Sequence, residues 1–317
     1  MSMMDSKDWI KKGREKAPEL RDSAKAAVAE MFATGDLSGF LNVLSRLPSY
    51  DACNLVLIFL QYPKATCLAG YGVWERLMAD PRASILKPEW YRKPIDLVAP
   101  FTEQRDKQDI RLTWFAVSQF DIAQTNVKYR LPPSIYVKDK DHVNMLIEGA
   151  CRALRLEYHL TVLHTTADTG RSNATLPGFL TDKVVHLYDE AKPFAKLAWL
   201  VDSLCTLQGG PASLPPACHD IFFMCIRNTL WRTWGLDMPP SLVPYRSRIR
   251  NMADEIQMDF LDLLQRSYRA IEESIAFGYA EVREEARQEL EAAEGNLELS
   301  ELDAKVLLDD LRPSPYG

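Results

Sequence analysis

The sequence predicts an α+β protein: a helical amino-terminal segment with a small sheet, then a second α+β domain, then a long carboxy-terminal helix. Three observations predict this order. Strong helix formers fill much of residues 8–47, and short β-branched and aromatic stretches follow from residue 66 onward. An apolar stripe with helical spacing then returns after residue 254. Helices and a small sheet that are segregated along the chain are typical of the α+β class.

The chain has 317 residues, more than a typical single domain, so we expect two domains. Pro132-Pro133 marks the end of the first domain. The expected boundaries are 8–135 for the first domain and 139–250 for the second. A long amphipathic acidic helix at 251–295 and a flexible acidic tail at 296–317 complete the prediction.

The first domain is expected to begin with two helices, the second of which starts after Gly35-Asp36. A third helix, Tyr50 to Leu60, ends before Pro63 and is apolar on nearly all faces, which predicts its burial. Strands are predicted at Ile95–Val98 and Leu112–Phe120, and a polar loop from Thr102 to Asp109 is predicted between them.

In the second domain a helix over residues 141–157 is predicted first, with strands at Leu160–Leu163 and Val184–Leu187. Helices over Pro193–Leu207 and Ala217–Trp234 follow. The last helix runs from about Asp254 to Ala293, and its early part is expected to pack on the second domain. Its Glu-rich end has little to bury, so it is either an extended solvated helix or part of a coiled-coil dimer.

Composition excludes several classes of protein. The longest apolar run, Leu55 to Leu60, is far too short to cross a bilayer, so no membrane partner is expected. The first residues are charged and lack an apolar core, which predicts a cytoplasmic protein without a secretory signal. Six cysteines at irregular spacings indicate buried thiols in a reducing compartment better than a disulfide framework.

The net charge of −6 is unevenly distributed along the chain. Residues 1–138 contain 20 Lys and Arg against 16 Asp and Glu, whereas residues 251–317 contain 6 against 17. Only the first part therefore has the sign expected of a phosphate binder, with a net charge of +4. Ordinary scatter of surface charge explains so small an excess equally well.

Between residues 50 and 125 an ordered series of residues carries the most specific signal. The series comprises Asn54, Leu57-Ile58, Gln61, Pro63, Ala65-Thr66, Gly70-Tyr71, Trp74, Phe120-Asp121 and Gln124-Thr125. It resembles the amino-terminal single-stranded-DNA-binding domain of ArdC-type antirestriction proteins, which occur on plasmids and other mobile genetic elements. The resemblance covers about Asp8 to Pro133. It implies single-stranded DNA as partner and an antirestriction-like or DNA-transfer accessory role.

Binding of a single strand requires cations for the phosphates and flat side chains on which the bases stack. The run Trp90-Tyr91-Arg92-Lys93 offers both within four residues, and Tyr62-Pro63-Lys64 does so again. We expect Arg92, Lys93 and Lys64 to contact phosphates and Trp90 and Tyr91 to stack. Asn54, Gln61 and Thr66 are expected to hydrogen-bond phosphate or sugar.

A structural role remains open for several of these residues. Aromatic side chains dominate protein cores, and Trp74 and Trp114, which have apolar neighbours, are the better candidates for core residues. Asn54 and Gln61 lie seven apart on one helix and face the same side. Instead of DNA, they could hydrogen-bond the neighbouring sheet.

The resemblance also implies a zinc-peptidase-like second domain, in which one helix carries His-Glu-x-x-His and the next supplies a carboxylate. The corresponding helix here, Pro193 to Asp202, contains neither histidine nor glutamate, and the next reads Ile221-Phe222-Phe223-Met224-Cys225. The resemblance therefore implies a degenerate metallopeptidase-like domain without metal ligands, cofactor or catalytic residues. Cys218, His219 and Cys225 form the remaining candidate for a metal cluster, although such residues more often pack in an apolar helix.

The preferred hypothesis is thus non-enzymatic binding of single-stranded DNA. As an alternative, the pseudo-peptidase domain and the acidic carboxy-terminal helix could form a protein-interaction module, in which the helix mimics the charge of DNA. A third hypothesis is residual metallopeptidase activity from a site that the motifs do not reveal.

Overall fold

The structure is a computed structural model, which describes residues 6–78, 85–87, 93–106, 109–128, 134–138, 141–166, 177–237 and 239–294. It confirms the predicted α+β class, with two small sheets and a long carboxy-terminal helix. The chain forms two compact units. Unit 1 comprises Met1–Leu131 and Pro240–Gln265, and unit 2 comprises Pro132–Pro239 and Arg266–Gly317.

Unit 1 begins with three helices: α1 (Ser6–Thr34), α2 (Ser38–Leu44) and α3 (Ala52–Gln61). The side chain of Asp51 caps α3 by accepting a hydrogen bond from Asn54 N, and Leu55 to Ile58 are buried. Pro63 follows the helix at once, as expected for a residue that cannot continue it. The apolar faces of α3 thus belong to the core of unit 1.

The sheet of unit 1 has the order β1-β3-β2 and is antiparallel throughout. Its strands are β1 (Leu68–Gly70), β2 (Ile95–Asp106) and β3 (Asp109–Asp121), and the short helix α4 (Tyr71–Arg76) follows β1 directly. Helix α1 packs on β3. A cluster of buried side chains holds α4 to β3, and it contains Trp74, Ile85, Leu86, Phe120 and Val127.

Unit 2 contains a second three-stranded sheet, of order β4-β6-β5. Strands β4 (Thr161–Thr165) and β6 (Val184–Tyr188) are parallel, and β5 (Gly178–Leu180) is antiparallel to β6. The helices of this unit are α5 (His142–Tyr158), α6 (Pro193–Leu207) and α7 (Pro216–Thr233). Helix α6 packs against both α5 and α7.

The chain then forms the five-residue helix α8 (Arg246–Arg250) and the long helix α9 (Asp254–Glu294). The start of α9 belongs to unit 1, where Phe260 meets the ring of Phe32 edge to face at 6.0 Å. From Arg266 onward α9 belongs to unit 2. This differs from the sequence expectation, which placed residues 251–295 outside the first domain and the early part of the helix on the second.

Within unit 2, α9 is held by polar side chains as well as by packing. The hydroxyl of Tyr279 accepts a hydrogen bond from Val137 N at 3.0 Å, and the hydroxyl of the half-buried Tyr136 donates to Glu272 at 2.9 Å. Further along, Arg152 of α5 forms a two-point ion pair with Glu285. Part of the acidic charge on this helix is therefore paired with a basic residue of unit 2.

The cysteines and helices agree with an ordinary globular interior. All six cysteines are free thiols, and Cys151, Cys205, Cys218 and Cys225 are buried. None of the helices in the described ranges is long and apolar enough to span a membrane. The predicted tail, residues 296–317, lies outside the described residues.

Helices α5 and α9 approach so closely that glycine is required on both. A Cβ atom added to Gly278 would lie 2.3 Å from the carbonyl oxygen of Gly149, and one added to Gly149 would lie 2.8 Å from the amide nitrogen of Tyr279. Both obstacles are backbone atoms, which a side-chain rotation cannot move. Either substitution must therefore separate the two helices.

We expect Gly278→Ala to lower the free energy of unfolding by about 1–3 kcal/mol, since overpacking a close contact forces backbone shifts. The measurement is chemical denaturation of the variant and the wild type. Gly72→Ala is the matched control, because a Cβ there meets no described atom within 4 Å. Equal stability of the two variants would contradict the close crossing.

Candidate nucleic-acid interface

The carboxylate of Asp121, at the end of β3, organises the part of unit 1 that carries the predicted DNA contacts. Asp121 is fully buried. Its Oδ2 accepts hydrogen bonds from Thr66 N at 2.6 Å and Cys67 N at 2.9 Å, and its Oδ1 accepts one from Ala123 N at 2.9 Å. Three backbone amides from two segments thus converge on one carboxylate, which fixes the loop after α3 against the turn after β3.

Gln124 extends this arrangement to a third segment. Its side-chain oxygen accepts a hydrogen bond from Asp121 N at 2.8 Å, and its amide group donates to the carbonyl of Lys93 at 3.1 Å. Gln124 is also buried. The backbone at Lys93, just before β2, is therefore tied to the same turn as the loop that contains Lys64 and Thr66.

Four cationic residues lie on these segments or hydrogen-bond to them, and together we call them the basic surface: Arg46, Lys64, Lys87 and Lys93. Arg46 donates a hydrogen bond to the carbonyl of Pro63, and Lys87 Nζ donates to the carbonyl of Ala123 at 2.8 Å. The side chains of Lys64 and Lys93 are exposed. The basic surface thus combines two cations that support the turn with two that face solvent.

The charge of Asp121 affects the pKa values of neighbouring groups. Burial lowers the pKa of Arg46, and the nearby Asp121 carboxylate opposes that shift. Burial raises the pKa of the Tyr62 phenol, and Asp121 raises it further. Arg46 and Tyr62 therefore lie close enough to Asp121 for its charge to affect their pKa values.

The structure brings together three of the predicted contact residues. Lys64, Thr66 and Lys93 are all exposed and all lie on segments fixed by Asp121 or Gln124. The hydroxyl of Thr66 is 3.4 Å from Asp121 Oδ2, a long contact that leaves it accessible. The predicted stacking residues Trp90 and Tyr91, and the predicted phosphate contact Arg92, lie outside the described residues.

Asn54 and Gln61 both hydrogen-bond the neighbouring sheet, as the structural alternative predicted. Asn54 is 6% exposed, and its side-chain amide donates to the carbonyl and accepts from the amide of Val98, each at 2.9 Å. Gln61 makes the same pair of bonds to Asp96 of β2, at 2.8 and 2.9 Å. The expected DNA contact is therefore corrected for Asn54, whose amide is buried and fully used by the sheet.

Trp74 and Trp114 were both expected to be core residues, but only one of them is. Trp74 is 1% exposed and its indole N–H donates to the carbonyl of Phe120 at 2.8 Å. Trp114 is only half-buried, and the guanidinium carbon of Arg21 lies 5.5 Å from its ring centroid. Trp74 is thus a core residue, and Trp114 is a partly exposed partner in a cation–π contact.

Sequence reasoning did not assign Arg46, Lys87 or Tyr71 to the interface. Arg46 and Lys87 are far from the motif residues in sequence but are joined to them by hydrogen bonds to Pro63 and Ala123. Tyr71 was part of the matched series without a role, and its side chain is 40% exposed. An aromatic residue beside two glycines was the available signal for Tyr71; nothing local identified the other two.

The residues of unit 2 do not fit the metal site that the resemblance implies. On α6 the only carboxylate is that of Asp202, and its Oδ1 lies 3.2 Å from Nε of Arg227 on α7. A guanidinium beside the carboxylate opposes the approach of a metal cation. Within the described ranges no three His, Cys, Asp or Glu side chains are grouped so that they could hold a metal.

Cys218, His219 and Cys225, the remaining metal candidate from the sequence, are used in packing. Both cysteines are buried, and burial raises the pKa of the Cys225 thiol. His219 Nε2 is 3.0 Å from the carbonyl of Leu214, a contact in which the ring must be the donor. A nitrogen that donates a proton there cannot bind a metal at the same time.

Comparison with known proteins finds similarity among solved structures. No protein-family model matches the chain, and no curated protein matches it. Among solved structures it is similar to the Mn(II)-bound antirestriction ArdC protein from the R388 plasmid, with a TM-score of 0.44 and 10% sequence identity. The match covers 81% of this chain and 98% of the other. At this level the similarity does not establish family membership, and nothing about function follows from it.

We expect Asp121→Asn to lower the free energy of unfolding by about 2 kcal/mol, because the asparagine NH₂ group would face backbone donors and leave at least one of them unsatisfied. Urea denaturation followed by fluorescence measures the change. Thr66→Ala is the control: it removes only the 3.4 Å hydroxyl contact and keeps the backbone donor. The importance of the carboxylate is contradicted if the two variants lose the same stability.

Asp202 makes the stability of unit 2 depend on pH. Burial raises the pKa of its carboxyl from 3.8 to about 6, although Arg227 opposes the shift. Between these values the folded protein binds more protons than the unfolded chain, so this contribution to stability falls as the pH rises. From pH 5 to pH 7 we expect the wild type to lose about 1 kcal/mol more than Asp202→Asn. Denaturation curves of both proteins at the two pH values test this, and parallel changes would contradict it.

Proposed function

We propose that the protein binds single-stranded DNA without catalysing a reaction, through the basic surface of unit 1. One observation carries the proposal. The Asp121 carboxylate and the Gln124 amide fix the backbone on which Lys64, Thr66 and Lys93 stand, while these three side chains stay exposed. The resemblance of the motif series adds an antirestriction-like or DNA-transfer accessory role on a mobile element to this proposal.

The physical basis is electrostatic and does not require base recognition. A lysine that contacts a phosphate releases condensed counterions, which supplies affinity that falls as salt increases. Because the turn is already ordered by buried hydrogen bonds, the cations of the basic surface lose little backbone freedom on binding. The carboxylate at the centre is buried, and three backbone amide donors partly compensate its negative charge.

The test is a fluorescence-anisotropy titration of the full chain with a labelled oligothymidine at about 50 and about 200 mM salt. Wild type should bind more weakly at the higher concentration. Lys64→Gln and Lys93→Gln should each weaken binding and reduce the slope of log K against log salt by about 0.7, the value expected for one phosphate contact on a single strand.

Lys25→Gln is the matched control, because Lys25 is an exposed lysine of α1 in the same unit and is not part of the basic surface. It should leave the slope unchanged. Absence of binding by the wild type at low salt would end the proposal. Equal losses for Lys25→Gln and the two test variants would show that general charge, and not the basic surface, attracts the oligonucleotide.

A further inference from the structure

Among the described residues, neither a positive φ nor a close contact requires glycine at positions 70 and 72. Neither glycine is among the positive-φ glycines, which are Gly35, Gly209 and Gly235. A Cβ atom added at position 70 or 72 would meet none of the described atoms within 4 Å. By contrast, a Cβ at Gly149, Gly178 or Gly278 would lie less than 3.0 Å from backbone. Backbone conformation and packing therefore both permit a larger residue at 70 and 72.

The two glycines differ in what the local structure favours. Gly70 ends β1 and is the N-cap of α4, a position at which glycine is preferred to alanine. Gly72 is in the first turn of α4, where glycine has a lower helix propensity than alanine. Where the fold gains nothing from a glycine, close approach of a ligand to the backbone is a physical reason for it.

Tyr71 lies between the two glycines and presents a ring to solvent. Tyr71 is 40% exposed, and Val73 and Leu77 of the same segment are 40% and 44% exposed. Trp74, three residues on, is by contrast buried in the core, which anchors α4. Tyr71 is therefore an exposed aromatic residue on an anchored helix, and the residue on each side of it has no side chain.

The sheet places Tyr71 near the basic surface. In the β1–β3 ladder Leu68 pairs with Asp121 and Gly70 with Gln119. Tyr71 is therefore three residues beyond the partner of Asp121, about 10 Å along an extended chain. Lys64 and Thr66 precede β1 on the same segment, so the cations and the ring lie within a short stretch of one ordered chain.

We infer that Tyr71, with Gly70 and Gly72 on either side, is a stacking platform for a nucleobase of the single strand whose phosphates contact Lys64 and Lys93. The inference rests on the proposed function and gives it a residue that contacts bases. The occupant is a polynucleotide because the cations next to the platform complement phosphate, and a tyrosine ring accepts any base by stacking. The two glycines let the base and its sugar approach the backbone on both sides of the ring.

The test uses the full chain, the same oligothymidine titration and a denaturation curve for each variant. Tyr71→Leu should weaken binding about 5-fold to 100-fold, the range for loss of one stacked base, whereas Tyr71→Phe should retain most of the affinity. Phe277→Leu removes an exposed ring in unit 2, where the side chain is 58% exposed, and should leave binding unchanged.

Gly70→Ala and Gly72→Ala separate a ligand role from a structural one. If the glycines make room for DNA, both variants should bind at least about 5-fold more weakly, and Gly72→Ala should be as stable as the wild type or more stable. For Gly70→Ala a small loss of stability is expected because Gly70 caps α4, so Gly72→Ala decides. Weaker binding by Gly72→Ala with a matching loss of stability would assign this glycine to the fold and overturn the inference.

The outcomes also separate this inference from the proposed function. If Lys64→Gln and Lys93→Gln weaken binding but Tyr71→Leu, Gly70→Ala and Gly72→Ala do not, the basic surface stands and the platform is wrong. If the wild type fails to bind oligothymidine at low salt, both are wrong.

Discussion

Unit 1 depends on one buried carboxylate. Asp121 is the last residue of β3, and it accepts hydrogen bonds from the backbone before β1 and from the turn after β3. A buried charge is costly unless it is fully hydrogen-bonded, so Asp121 requires these donors. The donors in turn require Asp121 as their acceptor. Strand β1 is only three residues long, and this arrangement gives its entry a fixed position that so short a ladder could not supply.

Hydrogen bonds from polar side chains to the backbone also join α3 to the sheet. Asn54 and Gln61 each present a side-chain amide to the backbone of β2, pairing with one N–H and one C=O as a neighbouring strand would. Helix α3 can therefore lie along β2 without leaving its outer backbone groups unsatisfied. Residue types that suit contacts to DNA are also those that suit contacts to a peptide backbone, and their burial decides between the two roles.

The sequence predicted most helices closely because proline and glycine mark their ends. The interval Pro193–Leu207 was predicted and is α6, and the start of α3 shifted by only two residues, from Tyr50 to Ala52. The polar segment Thr102–Asp109 was predicted as a loop, yet β2 continues to Asp106 and β3 begins at Asp109. Two adjacent strands satisfy each other's backbone whatever their side chains are, so polarity alone could not locate this turn.

The residues of the candidate interface could be proposed from the sequence only in part, for a related reason. Lys64, Thr66 and Lys93 could be proposed from local composition, since a cation near aromatic residues has a recognisable pattern. The carboxylate that brings them together could not be identified as their organiser, because Asp121 is 55 residues from Thr66. The role of Arg227 beside Asp202 was hidden in the same way, because α6 and α7 are separate helices whose contact no local pattern reveals.

The division of α9 has a consequence for how the protein is made. Residues 240–265 complete unit 1, but the ribosome delivers them only after all of residues 132–239. Until then Phe32 lacks its contact with Phe260, for a time that is on the order of ten seconds at about 5–20 residues per second. Unit 1 is complete once Gln265 has been made, and unit 2 is complete only after the residues that follow Arg266. A chain that ended at residue 131 would lack the part of unit 1 that contains Phe260.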